Sequence, residues 1–483
     1  MKKNIFVIGL EDFNLQSLKN LPEASGYEFH SLLDFSEIRG NSKDLMWTED
    51  KSPRPDIAVT DQTENLALDA TKLLALCEQR LENFQGSVDA IIGYYDFPVT
   101  IMLPILRKKY NMPGPSLESV LKCEHKYWSR IEQQHIIPHH IPFFQTFDPF
   151  NDTEIQNLEL VYPFWIKPVK SFRSFLAFRI NDGNDLESAI HEIRENITYI
   201  SKPFTDFLEM ATLPKNIKQT ENRTCIAESL LSGSQCTLEG YVYDNTVTVY
   251  GVVDSIRESD RSSFSRYQYP SQLPEDIQQR MISIAESVLT QKGFNNSPFN
   301  MEFFYNQTEG QVYLLEINPR ISQSHADLFE KVNGKSHHIV AIETALGQNP
   351  EYRLKQGEYE MACKFMLRHF ENARIKKTPT AEQLKEVETT IPGTRIEILV
   401  KPGIMLSDLS IQDSYSYELA DIYIGGEDES AILNKYQLVL EMLHFEFEPA
   451  QEAFSLGLTV DNELNTSTPR SGQTDTRMQL RYF

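Results

Sequence analysis

The segment from Phe299 to Arg320 restricts the fold more than any other. It holds two alternating runs around Thr308-Glu309-Gly310, a pattern that folds as an antiparallel hairpin. Reflection about Glu309 sets Glu302 against Glu316, and directly opposed residues share a face with Cβ atoms ~5 Å apart. Asn318 lies two residues beyond Glu316 and projects from that same face. The intervening Met301, Phe303, Leu315 and Ile317 are apolar, so the polar set occupies one face only. Two carboxylates so placed repel unless a cation lies between them. Hard oxygen donors of this kind suit Mg²⁺, which keeps waters and takes phosphate oxygens as further ligands. Arg320 follows Pro319 at the strand exit, where a guanidinium reaches phosphate oxygens.

The 483 residues suffice for two to four packed units. Lys and Arg number 46 against 69 Asp and Glu, a formal net charge of −23. Such a chain repels nucleic acid and anionic membranes, which argues against both as main partners. An anionic ligand must then be captured by a few placed cations and a metal. Five cysteines with no CxxC pair suggest neither a zinc site nor a disulfide framework. The apolar run Ile5–Leu10 stops at Glu11-Asp12, unlike a secretory signal, and no stretch reaches the ~20 apolar residues of a membrane helix. A cytoplasmic protein is expected.

Residues 1–114 alternate buried strands (Asn4–Leu10, Val88–Ile92) with an amphipathic helix (Leu66–Phe84), which predicts a parallel α/β domain. No GxGxxG follows the first strand, against a dinucleotide site there. Met112-Pro113-Gly114-Pro115 breaks the chain. Residues 115–352 then read as helices within Ser116–Gln134, strands at Tyr162–Val169, Phe175–Ile180 and Thr224–Leu231, and a helix over Asp185–Glu195. A first hairpin, Gln235–Val242 with Val247–Val253, turns at Asp244-Asn245. A helix near Glu275–Thr290 precedes the second hairpin, and helices near Ala326–Val332 and Ser336–Leu346 close the unit. Residues 353–447 carry short alternating strands and predict a small C-terminal α+β lid domain, with 448–483 a flexible tail. The fold class expected is thus multidomain, α/β and α+β.

Asn300-Met301-Glu302 followed by Leu315-Glu316-Ile317-Asn318-Pro319-Arg320 resembles the metal-binding hairpin of the ATP-grasp superfamily. The resemblance implies that Glu302, Glu316 and Asn318 bind magnesium bridging the ATP phosphates, and that Arg320 stabilises the transferred phosphoryl group. Glu124-His125-Lys126 resembles the family's early phosphate-contacting lysine. Phe164-Trp165-Ile166-Lys167-Pro168 resembles its strand bearing a lysine over the nucleotide, and Glu228-Ser229-Leu230-Leu231-Ser232-Gly233 resembles the hinge that holds the adenine edge. Lys126, Lys167, Glu228 and Leu230 are therefore implied nucleotide contacts. Two departures stand out. The loop Val169–Ser174 is not glycine-rich, so Ser171 and Ser174, with Lys170 or Arg173, would have to cover the phosphates. Gln235 stands where relatives commonly have a ribose-binding Glu. The resemblance spans about 116–350, and the flanking units match the biotin-carboxylase-like branch.

It implies ATP and Mg²⁺ (with Mn²⁺ as a substitute), a central ATP-grasp fold, small-molecule carboxylate and amine substrates, and leaves room for a homodimer. The activity expected is a ligase that activates a carboxylate as an acyl-phosphate and joins it to an amine or thiol. Biotin-carboxylase-like chemistry through carboxyphosphate and a catalytically silent nucleotide-binding module are the alternatives. Arg257, Arg261 and Arg266 interrupt an acidic chain and are either an anion-attracting set or a solvated loop. Ser322 and His325, just after Arg320, either line the acceptor pocket or belong to a helix cap at Ser324. The histidines at 125, 135, 139 and 140 lack helical i, i+4 spacing and read as structural. No GxSxG, HExxH or Walker P-loop occurs.

Overall fold

A computed structural model describes residues 2–34, 37–38, 69–171, 176–218, 223–257, 263–409 and 416–449. Strands β1 (Lys3–Leu10), β2 (Tyr27–Asp34) and β3 (Ala90–Gly93) form a parallel sheet in the order β2-β1-β3. Helices Asp12–Lys19, Ala70–Asn83 and Val99–Lys109 accompany it. Ile5, Val7 and Ile8 are fully buried, as befits a parallel strand covered on both faces. Glu11 follows β1 directly and Asp96 follows β3 after Tyr94 and Tyr95, so both lie at the carboxyl edge of this sheet, where open α/β sheets place their ligands. Residues 66–68 of the expected first helix lie outside the described residues, as does the tail from 450 onward.

Ser116 caps the helix Leu117–Glu124, its Oγ accepting from the Ser119 N–H at 3.1 Å. His125 ends that helix and caps the next, Lys126–Ile136, with Nδ1 accepting from the Trp128 N–H at 3.2 Å. Its burial lowers the imidazole to about 4, so the ring is neutral and can accept. This cap holds Lys126 at a helix start.

Strands β4 (Phe144–Phe147), β5 (Phe164–Pro168), β6 (Phe178–Ile180) and β7 (Cys225–Ser229) form a small antiparallel sheet, β4-β7-β5-β6. The helix Gly183–Asn196, capped by Asp182, closes its core over Ile166, Ile180 and Ile193.

The remaining strands are β8 (Ser234–Tyr243), β9 (Thr246–Arg257), β10 (Phe264–Tyr269), β11 (Ser297–Asn306), β12 (Gln311–Asn318), β13 (Met361–His369), β14 (Ala373–Lys377), β15 (Thr394–Ile398), β16 (Tyr417–Gly426) and β17 (Glu446–Pro449). Eight of them form one antiparallel sheet, β12-β11-β8-β9-β10-β13-β16-β15; β14 and β17 pair separately. The β8–β9 turn places Asp244 and Asn245 at φ 45° and 60°, the left-handed pair that a two-residue hairpin requires. The C-terminal α+β unit extends the central sheet through the β10–β13 pairing. Helices Ala381–Thr390 and Glu429–Met442 accompany this extension, and its core holds Cys363, Phe365, Val387, Ile396, Ile422, Ile424, Ile432 and Val439. Among the described residues no helix is long and apolar enough to cross a membrane.

Candidate active site

On the β11–β12 hairpin, Asn300 pairs with Asn318 and Glu302 with Glu316. The turn closes one register step away, with Asn306 against Gln311, and a bulge beyond Glu302 brings the carboxylates into opposition. The extra residue is Leu315, so Leu314 rather than Leu315 enters the core beside Met301 and Phe303. Simple reflection placed the glutamates but misplaced this leucine.

Other elements fix each donor. Lys126 Nζ lies 2.6 Å from Glu316 Oε1. Gln235 Nε2 donates to Glu302 Oε2 at 2.9 Å, and Arg257 Nη2 donates to Gln235 Oε1 at 2.7 Å. Asn318 Nδ2 donates to Asn300 Oδ1 at 3.0 Å and to Glu302 Oε1 at 3.3 Å. The amide nitrogen of Asn318 is thus the end that meets Glu302. Burial raises the Glu302 carboxyl and nearby Glu316 adds to this. Burial acts the same way on Glu316, but Lys126 and Lys167 outweigh it and hold that carboxyl low. Among the described residues no three His, Cys, Asp or Glu converge on one point. The protein's own set is two carboxylates and an amide oxygen, the partial shell that Mg²⁺ completes with phosphate oxygens and water. These residues fit that ion.

Glu228 on β7 receives Lys167 Nζ at 2.6 Å and Arg130 Nε at 2.5 Å, all three largely buried. Burial raises the Glu228 carboxyl, but Arg130 and Lys167 together bring it down to about 2. Arg130 also donates to the carbonyls of Leu314 and Leu315, at 3.2 and 2.7 Å. One guanidinium therefore joins the small sheet to β12. Leu230, just past β7, is exposed.

Arg320 leaves the hairpin toward the N-terminal sheet, with Nη2 3.2 Å from Asp96 Oδ2. Burial pushes the Asp96 carboxyl up, but Arg320 and Lys170 hold it well below the carboxylate range. Lys170 pairs with Glu124 and lies over the rings of Phe97 and Phe204. Ser171 is buried beside it; Arg173 and Ser174 lie outside the described residues, as does Arg261.

The residues proposed from sequence for substrate are engaged otherwise. Arg257 holds Gln235 and stacks over Phe264 at 4.1 Å. Arg266 pairs with Glu429. The His325 ring is buried, with Nδ1 2.8 Å from Glu239 Oε1. That same oxygen accepts from the Ser322 N–H at 3.2 Å and from Asn300 Nδ2 at 2.7 Å. Ser324 does not cap the following helix; Lys364 Nζ approaches its Oγ at 3.5 Å. Sequence reading missed Asp96, Arg130 and Glu239. Asp96 ends a Gly-Tyr-Tyr-Asp strand exit and could have been found there. Nothing local marks the other two.

Residues 160–326 match the family model of the ATP-grasp domain. These residues thus carry an ATP-grasp domain, and nearly the whole chain shares its fold with several solved structures. One is the L-amino acid ligase from Bacillus licheniformis (16% identity, TM-score 0.64, covering 92% of this chain and 99% of that one). Another is carboxyaminoimidazole ribonucleotide synthase from Aspergillus clavatus in complex with ATP (13%, 0.61, 91% and 98%). A third is the Campylobacter jejuni biotin carboxylase (16%, 0.60, 93% and 93%). No curated protein matches the chain.

Proposed function

We propose that the protein is an ATP-dependent ligase that activates a substrate carboxylate as an acyl-phosphate and joins it to an amine. The observation that carries this reading is the opposition of Glu302 and Glu316, with the Asn318 side chain and Arg320 beside them. Magnesium, or manganese in its place, supplies charge neutralisation and alignment of the phosphates when bound. Lys126, paired with Glu316, and Lys167, paired with Glu228, turn to phosphate oxygens when the nucleotide enters. Arg320 neutralises charge on the transferred phosphoryl group, and Asp96 holds its guanidinium in place.

The balance of the reaction is simple. A substrate carboxylate oxygen bonds to the γ-phosphorus and ADP leaves. The amine nitrogen then bonds to the acyl carbon, the carbon–oxygen bond to phosphate breaks, and the nitrogen releases a proton. Positioning and electrostatics account for catalysis of this kind, so no nucleophilic side chain is required. The fold neighbour that acts on L-amino acids makes them the first substrates to try. A small-molecule ligase of this kind works in the cytoplasm, and the biotin carboxylase domain of Hydrogenobacter thermophilus, solved as a dimer, makes a homodimer the assembly to look for.

Incubation with Mg-ATP and pooled L-amino acids should yield ADP, phosphate and a product formed with loss of water, read by mass spectrometry. ADP formed only with bicarbonate, needing no amine, would instead establish carboxyphosphate chemistry. ATP bound without ADP formation against any pool would establish a silent module.

The relay from Glu239 through Asn300 sets the Asn318 amide. Asn300→Ala frees that amide to rotate and should weaken Mn²⁺ binding in the presence of a non-hydrolysable ATP analogue about tenfold. Electron paramagnetic resonance of free Mn²⁺ measures it; unchanged affinity would show that the relay does not orient the ligand.

A further inference from the structure

Asp96 holds one arm of the Arg320 guanidinium, at Nη2. The other arm, Nη1, donates at 3.3 Å to the carbonyl of Ile321, the next residue along the chain. That carbonyl belongs to the same peptide unit as the Ser322 N–H, which donates at 3.2 Å to Glu239 Oε1 on β8. A trans peptide unit is planar, with its C=O and N–H pointing in opposite directions. Whatever fixes the N–H therefore fixes where the carbonyl points, and here it points to the arginine. Glu239 is fully buried, and the same Oε1 accepts from Asn300 Nδ2 at 2.7 Å and lies 2.8 Å from His325 Nδ1. It is a fixed anchor for the loop.

The next peptide unit is held from the other side. The Ser322 carbonyl lies 3.0 Å from His337 Nε2; a carbonyl only accepts, so that nitrogen carries the proton. Burial, with His338 and His325 adding to it, keeps the His337 imidazole well below its ordinary range and the ring neutral. Nδ1 is then left to accept from the Tyr250 hydroxyl at 3.1 Å. Phe329 stacks on the ring, with centroids 4.8 Å apart and planes 24° from parallel. His337 is fully buried, as is Ile321 between Arg320 and Ser322. Both ring nitrogens are committed, and the reaction as derived above gives this histidine no proton to carry.

We infer that His337 is a positioning residue for phosphoryl transfer: with Glu239 it clamps the backbone of Ser322, and the clamped Ile321–Ser322 peptide aims the Arg320 guanidinium. This rests on the ligase reading and adds to it a residue that acts only through the backbone. Were the Ile321 carbonyl to turn away, Arg320 would keep the Asp96 contact alone, and its charge would no longer be set for the transferred phosphoryl group.

His337→Leu removes the donor to Ser322, whereas His337→Gln keeps an N–H near the place of Nε2. ADP formation is followed with Mg-ATP and pooled L-amino acids, and Mn²⁺ affinity is measured with a non-hydrolysable ATP analogue. His337→Leu should lower kcat about tenfold. Its KM for ATP and its Mn²⁺ affinity should stay at the parent values, because Arg320 is needed in the transition state and not for binding. His337→Gln should recover most of kcat. A parent-level kcat in His337→Leu overturns the clamp. So does a loss of kcat matched by losses in KM and Mn²⁺ affinity, which would make His337 a structural residue only. A parent protein that forms no ADP with any acid overturns the ligase reading and the clamp with it.

Discussion

Replacing Arg320 with alanine is expected to lower the rate of ADP formation by about a thousandfold, or ~4 kcal/mol of transition-state stabilisation. The guanidinium stands where the hairpin meets the N-terminal sheet, and its 3.2 Å contact with Asp96 is long enough to be shared with a phosphoryl oxygen. Asp96 stays ionised throughout the working range, because Arg320 and Lys170 overcome the effect of its burial. It is a fixed anchor and not a proton donor. Arg320→Lys keeps the charge but not the planar fork, and should recover only a small part of the rate. Glu316→Ala should be comparably inactive, since it removes the carboxylate that opposes Glu302 and pairs with Lys126. Rates are measured as ADP release, with circular dichroism to establish that each variant is folded. ADP release from either alanine variant at the parent rate would defeat the proposed mechanism.

Removing Glu228 should have the largest effect on stability. Its carboxylate is almost wholly buried between Arg130 and Lys167, and Glu228→Ala leaves two cations without their counter-ion. Breaking a buried ionic contact on one side costs roughly 3–5 kcal/mol, visible as a lower urea midpoint. The pH dependence has a definite sign. The folded carboxyl sits near 2, below its ordinary value of 4.5. Its contribution is therefore complete above about 4.5 and fades as the pH falls toward 2. A parent protein and Glu228→Gln with parallel stability curves over that interval would show that the pairing contributes nothing to the fold.

The reach of the sequence is clearest at the hairpin. Strand periodicity and a three-residue turn signal put Glu302 opposite Glu316 without any coordinates, because opposition in a hairpin depends only on local register. The same logic misassigned Leu315. A one-residue bulge is a compromise between turn geometry and the packing of Leu314 beneath the sheet, and nothing in the local pattern encodes it. The parallel N-terminal sheet was legible from alternation of strand and helix. The pairing of β13 with β10, separated by some ninety residues of chain, was not, since a strand's partner is chosen by long-range packing.

Charge shows the same division. Lys126 and Lys167 stand out as isolated cations on apolar or aromatic elements, and the resemblance set them, with Glu228, in order along the chain. Their partners could not be read. Arg130 looks like any helical arginine until the fold brings Glu228 and the β12 carbonyls to it. Glu239 looks like a polar interruption in a strand until Asn300, Ser322 and His325 converge on one of its oxygens. Gln235 was read against a ribose, and in the folded chain it holds Glu302.

By itself the sequence determined the elements, the one polar face of the β11–β12 hairpin and the kind of ion that face suits. Each of these follows from spacing of a few residues. Only the tertiary structure decided which cation neutralises which carboxylate and how the Asn318 amide is held. Electrostatic and hydrogen-bond energies depend on distances through space, and those are settled when the sheets close on one another.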